Sequence, residues 1–147
     1  NISEEDVALL YYSSLLHDIG RSISKEEHHK YSKYIILTHD AFNNLPYDLR
    51  FNLASICYSH RKVLDEDIFY YCDKNKKIIL KLICLLRIAD SLDHSHKYNI
   101  ALNKVEMTNN TLFLFLQGLD VKNIINRLNR KSELFAEIFN VKIKIEI

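Results

Sequence analysis

Imidazole and carboxylate groups recur in this chain where helices should begin or end. His17-Asp18, His28-His29 and His60 each fall at such a junction, and Asp90 sits inside the most apolar stretch. Together these groups suit a divalent ion that also accepts phosphate oxygens. Such an ion polarises a phosphoryl group and makes a nucleophile of water near neutral pH. Neighbouring residues on a helix point about 100° apart, so His17 and Asp18 share an ion only if it lies between their directions. A His-Asp pair alone carries little weight, and the second pair, His39-Asp40, reads as a helix-end coincidence. The weight comes from order. His17-Asp18 runs into Ile19-Gly20-Arg21, a His pair follows, a His ends an apolar helix, and a buried Asp comes last.

Blander readings stand beside this one. A single His at a helix end more often caps the helix or faces water than ligates an ion. Asp90 can pair with Arg87 or His94 on its own helix face. A basic set, Arg21, His28, His29, Lys30, Lys33, Arg61 and Lys62, flanks the same junctions. Arg forks and Lys point charges are the usual phosphate ligands, and solvated surface charge is the alternative.

The elements that must position these residues follow from periodicity. Residues 3–17 read as a helix with Ser3 as N-cap, Asp6 at the capping-box position and Val7, Leu10 and Leu15 on one face. Gly20 offers a stop. A second helix is predicted over 25–39, with Tyr31, Tyr34, Ile35 and Thr38 at helical spacing. Asn43-Asn44-Leu45-Pro46 breaks the chain, and a third helix covers 48–60. Residues 64–75 are ambiguous, and Lys74-Asn75-Lys76-Lys77 reads as a solvated turn. The run 78–92 is apolar on nearly every side, which predicts a buried central helix. Its interrupting charges, Arg87 and Asp90, need partners, because unpaired buried charge is costly. Beyond Lys97 the pattern changes. Residues 99–107 alternate in part, Asn109-Asn110 signals a turn, and 112–116 read as a strand. Asp120 can cap a helix over 121–139, and Val141, Ile143 and Ile145 alternate with charges as a last strand.

At 147 residues the chain fits one compact domain, or a domain with a small appendage. A formal net charge of +1 points to neither a nucleic-acid binder nor a membrane-surface protein. Cys57, Cys72 and Cys84 are odd in number and lack C-x-x-C spacing, which predicts reduced thiols rather than a disulfide or zinc scaffold. No apolar run is long enough to span a bilayer and no signal peptide is visible, so the expected location is cytoplasmic. The start at Asn1-Ile2-Ser3, without Met, suggests a piece of a longer chain.

Four stretches carry a resemblance. Leu15-Leu16-His17-Asp18-Ile19-Gly20-Arg21, His28-His29-Lys30-Tyr31-Ser32, Ser59-His60-Arg61-Lys62 and Leu85-Leu86-Arg87-Ile88-Ala89-Asp90-Ser91-Leu92-Asp93 resemble, in this order, the Ppx/GppA family. These are exopolyphosphatases and guanosine pentaphosphate phosphohydrolases. The likeness is to their C-terminal HD-like helical domain, and Leu134 to Phe139 before the last strand is similar to the family's ending. The resemblance implies a mainly α fold, an HD-like helical domain at 1–97 followed by a small α+β (β-β-α-β) unit at 98–147. It places the family's phosphohydrolase site in upstream actin-like domains. The HD-like domain would help form a homodimer and the path of a polyanion. By the pattern of metal-dependent HD enzymes, His17, Asp18 and Asp90 carry over as metal ligands, with His29 and His60 as further ligands or phosphate contacts. Arg21, His28, Lys30, Arg61 and Lys62 would contact phosphate. Two departures stand out: no His precedes His17, and Tyr31 stands where the family's His-His-x-His-Ser has its last His.

The function expected is therefore that of an accessory domain binding polyphosphate or a guanosine polyphosphate and aiding dimerisation. An autonomous phosphohydrolase using Mg, Mn, Fe or Zn is the alternative, and a purely structural dimerisation module the third. Neither a membrane nor a specific nucleic acid is expected as partner.

Overall fold

Ser3 opens the first helix as its sequence suggests. Its hydroxyl accepts from the Asp6 amide and the Asp6 carboxylate accepts from the Ser3 amide, a reciprocal cap on α1, Glu4–Leu16. This computed structural model describes residues 2–61, 63–71, 76–93, 100–119 and 121–147, with Tyr71 described by its backbone alone. Lys62, Cys72, Lys74, Asn75, His94 and Asp120, to which roles were assigned above, lie outside the described residues, as does the boundary at residue 97. The chain forms two compact units, Asn1–Leu86 and Arg87–Ile147.

The first unit is helical. After α1 come a 3-10 turn at Ile19–Ser22, α2 at His28–Thr38, a second 3-10 turn at Asp40–Phe42, α3 at Tyr47–Ser59 and the single turn α4 at Ile68–Tyr71. α5, Lys76–Leu92, carries the chain into the second unit. It starts two residues before the apolar run, so Lys76 and Lys77 are its first turn rather than a loop. Ile79, Leu82, Ile83, Cys84 and Leu86 are buried, as the run's apolar character predicts.

Two helices present a different face from the one their hydrophobic spacing predicts. On α1 the buried residues are Leu9 and Ser13, while Val7 and Leu15 are 58% and 61% exposed. Ser13 is small, its hydroxyl is satisfied by its own helix at Leu9 O (2.7 Å), and α1 packs there against α3, with Cys57 Sγ 3.7 Å from Ser13 O. On α2 the inward stripe is His28, Ser32 and Ile36 rather than the Tyr34 and Thr38 side. His39 ends α2, and its Nδ1 accepts from the Ala41 amide, so the second His-Asp pair is a cap.

The second unit pairs helix and sheet. β1 (Ile100–Thr108) and β2 (Thr111–Gly118) are antiparallel, and β3 (Lys142–Glu146) lies parallel to β2, in the order β1-β2-β3. A parallel return needs a crossover, which is α6, Val121–Phe139. Its Val121, Ile124, Leu128 and Phe135 are buried, and β2 contributes Leu114 and Leu116. Asn109 and Asn110 both take positive φ (46° and 58°), the conformation a two-residue hairpin turn requires. The partial alternation of β1 has a local cause. The register shifts between Leu102 and Lys104, so Asn103 is an inserted residue that flips the apolar side from even to odd positions.

Candidate metal and phosphate site

The site grows from a close approach of two backbones. The turn Ile19–Ser22 rests against the start of α2 at Gly20. A side chain on Gly20 would begin 2.5 Å from Ser32 N and 2.8 Å from Tyr31 Cβ, and closer still to His28 O. Ser32, fully buried, clamps the turn: its hydroxyl accepts from Gly20 N (3.0 Å) and donates to His17 O (2.7 Å). This contact brings His17-Asp18 onto the first turn of α2.

Three histidines then converge on one carboxylate oxygen. Nε2 of His28 lies 3.0 Å from Asp18 Oδ1, that of His17 at 3.7 Å and that of His60 at 3.8 Å. His28 Nε2 and His60 Nε2 are 3.1 Å apart. Each ring is pinned from behind in the same way. Nδ1 meets the carbonyl of the residue three positions earlier: Ser14 O for His17 (2.8 Å), Lys25 O for His28 (2.8 Å) and Cys57 O for His60 (2.5 Å). A carbonyl only accepts, so each Nδ1 carries a proton and each Nε2 faces inward, a lone pair whenever the ring is neutral. Backbone support of this kind is what metal-binding imidazoles use. Among the described residues, the ligand atoms of His17, Asp18 and His60 all lie within 4.8 Å of one another, a spacing that fits one ion.

Charge around the pocket is mixed. The other Asp18 oxygen accepts from Arg21 (2.8 Å). Burial works to raise the Asp18 carboxyl, but the Arg21 bond and the charges of His17, His28 and Arg21 outweigh it and hold it below the usual range. His60 is almost fully buried and His28 nearly so. His29 turns the other way, ring to ring with Tyr58 at 5.1 Å. Burial first, then the Arg61 charge, push His29 below the ordinary imidazole value, which keeps it neutral at pH 7.

The residues named from the sequence therefore separate. His17, Asp18, His28, His60 and Arg21 come together. His28, expected at phosphate, is the ring nearest Asp18, and His29, expected at the metal or at phosphate, faces Tyr58. Arg61 donates to Glu26 O at the exposed rim, and Lys30 is exposed and paired with Glu27. Asp90 belongs to the second unit, where its carboxylate takes the Lys131 ammonium. Sequence reasoning passed over Ser32 and the close-approach role of Gly20. The only available signal was their place inside the quoted motifs.

A mainly helical domain with a pinned His/Asp pocket, followed by a small βαβ-type unit, defines the class. The family model described as Ppx/GppA phosphatase, domain III, matches residues 1–135, and the chain belongs to the Ppx/GppA phosphatase family. Among curated proteins none matches it. No described helix is long and apolar enough to cross a membrane.

Proposed function

We propose that this chain is the phosphoanion-binding domain of a Ppx/GppA phosphatase, anchored by a divalent cation on His17, Asp18 and His60. The observation that carries this is the convergence of those ligand atoms, within 4.8 Å of one another, on a pocket whose rings are held from behind by backbone carbonyls. The donor set fits the ion: neutral imidazole nitrogen and ionised carboxylate are both ligands of divalent metals. A cation bound there would supply Lewis acidity to a phosphate oxygen. Arg21, 44% exposed beside Asp18, and the exposed Arg61 stand at the rim, where forked donors match a phosphate's oxygens. The ligand class is a linear or nucleotide-borne polyphosphate, in keeping with the family.

The test is titration of a long polyphosphate into the cation-loaded chain. Binding should weaken by about tenfold or more between roughly 50 and 200 mM salt, as expected when several phosphates are neutralised. Chelation, or Asp18→Asn, should weaken it by a similar factor. Binding indifferent to both salt and chelator would contradict the proposal.

A further inference from the structure

β1 lies at one side of the sheet, and its far side carries no strand among the described residues. The hairpin fixes which groups that open edge offers. In a two-residue hairpin the flanking pair, here Thr108 and Thr111, exchanges both backbone hydrogen bonds. Backbone direction alternates along a strand. Thr108, Glu106 and Lys104 therefore turn their amides and carbonyls to β2, and Met107 and Val105 turn theirs outward. The apolar side chains of this strand are uncovered as well. Leu102, Val105 and Met107 stand opposite Leu116, Leu114 and Leu112, on the face where Leu114 and Leu116 are buried, yet they are 47%, 49% and 56% exposed. β3, the other edge, is shorter, and its Ile143 and Ile145 are half-buried.

An open edge with apolar side chains is a template for another strand, and proteins commonly blunt such an edge with a lysine. Here Lys104 is matched two positions on by Glu106, its ion-pair partner along the same strand. When β1 is paired antiparallel with itself, the register centred on Val105 sets Lys104 of each copy opposite Glu106 of the other. Registers centred one residue to either side set Lys104 against Lys104 or Glu106 against Glu106. The Val105-centred register also lets the two outward-facing Val105 backbones exchange both hydrogen bonds, and it brings Val105 against Val105 on the apolar face. The bulge at Asn103 falls outside these three central pairs.

We infer that β1 is an interface for a second copy of this chain, joined as a two-fold, antiparallel edge pair centred on Val105. Every residue involved lies in the second unit, so the pairing is independent of any ion in the pocket. A one-strand contact falls below the roughly 1,200–2,000 Å² of a stable interface, so the dimer is weak and dissociates on dilution.

Sedimentation analysis of the unsubstituted chain, from roughly 1 µM to roughly 1 mM, should show monomer giving way to dimer. Lys104→Glu and Glu106→Lys should each weaken the dimer about tenfold, because like charges then stand directly opposite at two symmetric positions. An equal mixture of these two variants should associate again, since acid once more faces base at both positions. Val105→Pro should also weaken the dimer while sparing the hydrogen bonds to β2, because the amide it removes faces outward. Circular dichroism checks that each variant folds. A chain that stays monomeric throughout overturns the inference. So does a dimer untouched by these variants, which would form through another surface. A dimer weakened by both charge variants and not restored by mixing them overturns the register, and the inference with it.

Discussion

At Gly20 a missing side chain decides whether the pocket exists. The position is not about φ, since its conformation is ordinary for a 3-10 turn; it is about the space that α2 occupies. Backbone atoms of His28 and Ser32 stand where a Cβ would go, and backbone cannot swing aside as a flexible side chain can. Gly20→Ala should therefore cost about 2–3 kcal/mol, the scale of overpacking in a filled interior. Because Ser32 holds His17 O as well as Gly20 N, displacing it should also weaken cation binding. Chemical denaturation and a metal titration on the same variant check both, and an unchanged midpoint with unchanged binding would contradict the packing argument. Much at this scale was legible. His17, Asp18 and His60 were readable because their types and order are rare together. The choice of His28 over its neighbour His29 was not, because it depends on where α2 begins. The helix starts at His28 itself, three residues later than its periodicity suggests, and this aims that ring back at Lys25 O and inward at Asp18.

At the scale of elements, α2 shows why hydrophobic spacing misread the buried face. Its inward stripe is His28, Ser32 and Ile36, two polar residues and one apolar, because the end of the helix nearest Asp18 serves the pocket rather than the core. Periodicity arguments weigh only apolar residues, so a functional polar stripe is invisible to them. The middle of α2 is tied down by Lys33. Its ammonium meets both oxygens of the nearly buried Asp65 (2.8 and 2.7 Å) and one of Asp67 (2.7 Å), joining α2 to the segment after α3. Burial works to lower the Lys33 value, but these bonds outweigh it and leave it raised. The stabilisation is thus fully present below the ordinary lysine value of about 10.4 and is lost as pH rises through the higher folded value. Lys33→Met should cost about 2 kcal/mol at pH 7, a partly solvated instance of stripping a buried carboxylate of its partner. The gap between variant and wild type in thermal melts should narrow above about pH 10.5. A constant gap across that range would contradict the ion-pair account. In the second unit the strands and α6 were legible from alternation and amphipathicity. The bulge at Asn103 was not, because an inserted residue looks in sequence like a weak strand.

At the scale of the molecule, the chain joins a helical unit carrying the His/Asp pocket to a small unit in which α6 covers a three-stranded sheet. The order of four motifs was enough to point to the Ppx/GppA family, and the family match over residues 1–135 establishes it. The division into elements was more legible than the buried faces of α1 and α2. Long regular stretches follow from a chain with only two Gly and one Pro. Long-range partners were not legible: the pairing of Asp90 with Lys131 links residues far apart in sequence, and no local pattern announces it. The proposed role of the pocket requires that it hold an ion. Metal content by elemental mass spectrometry, on protein prepared without a metal-affinity tag and incubated with Zn²⁺, Mn²⁺ or Fe²⁺, tests it most directly. The predicted result is about one equivalent per chain, lost in Asp18→Ala. Failure to retain any of these ions, or retention undiminished in Asp18→Ala, would contradict it.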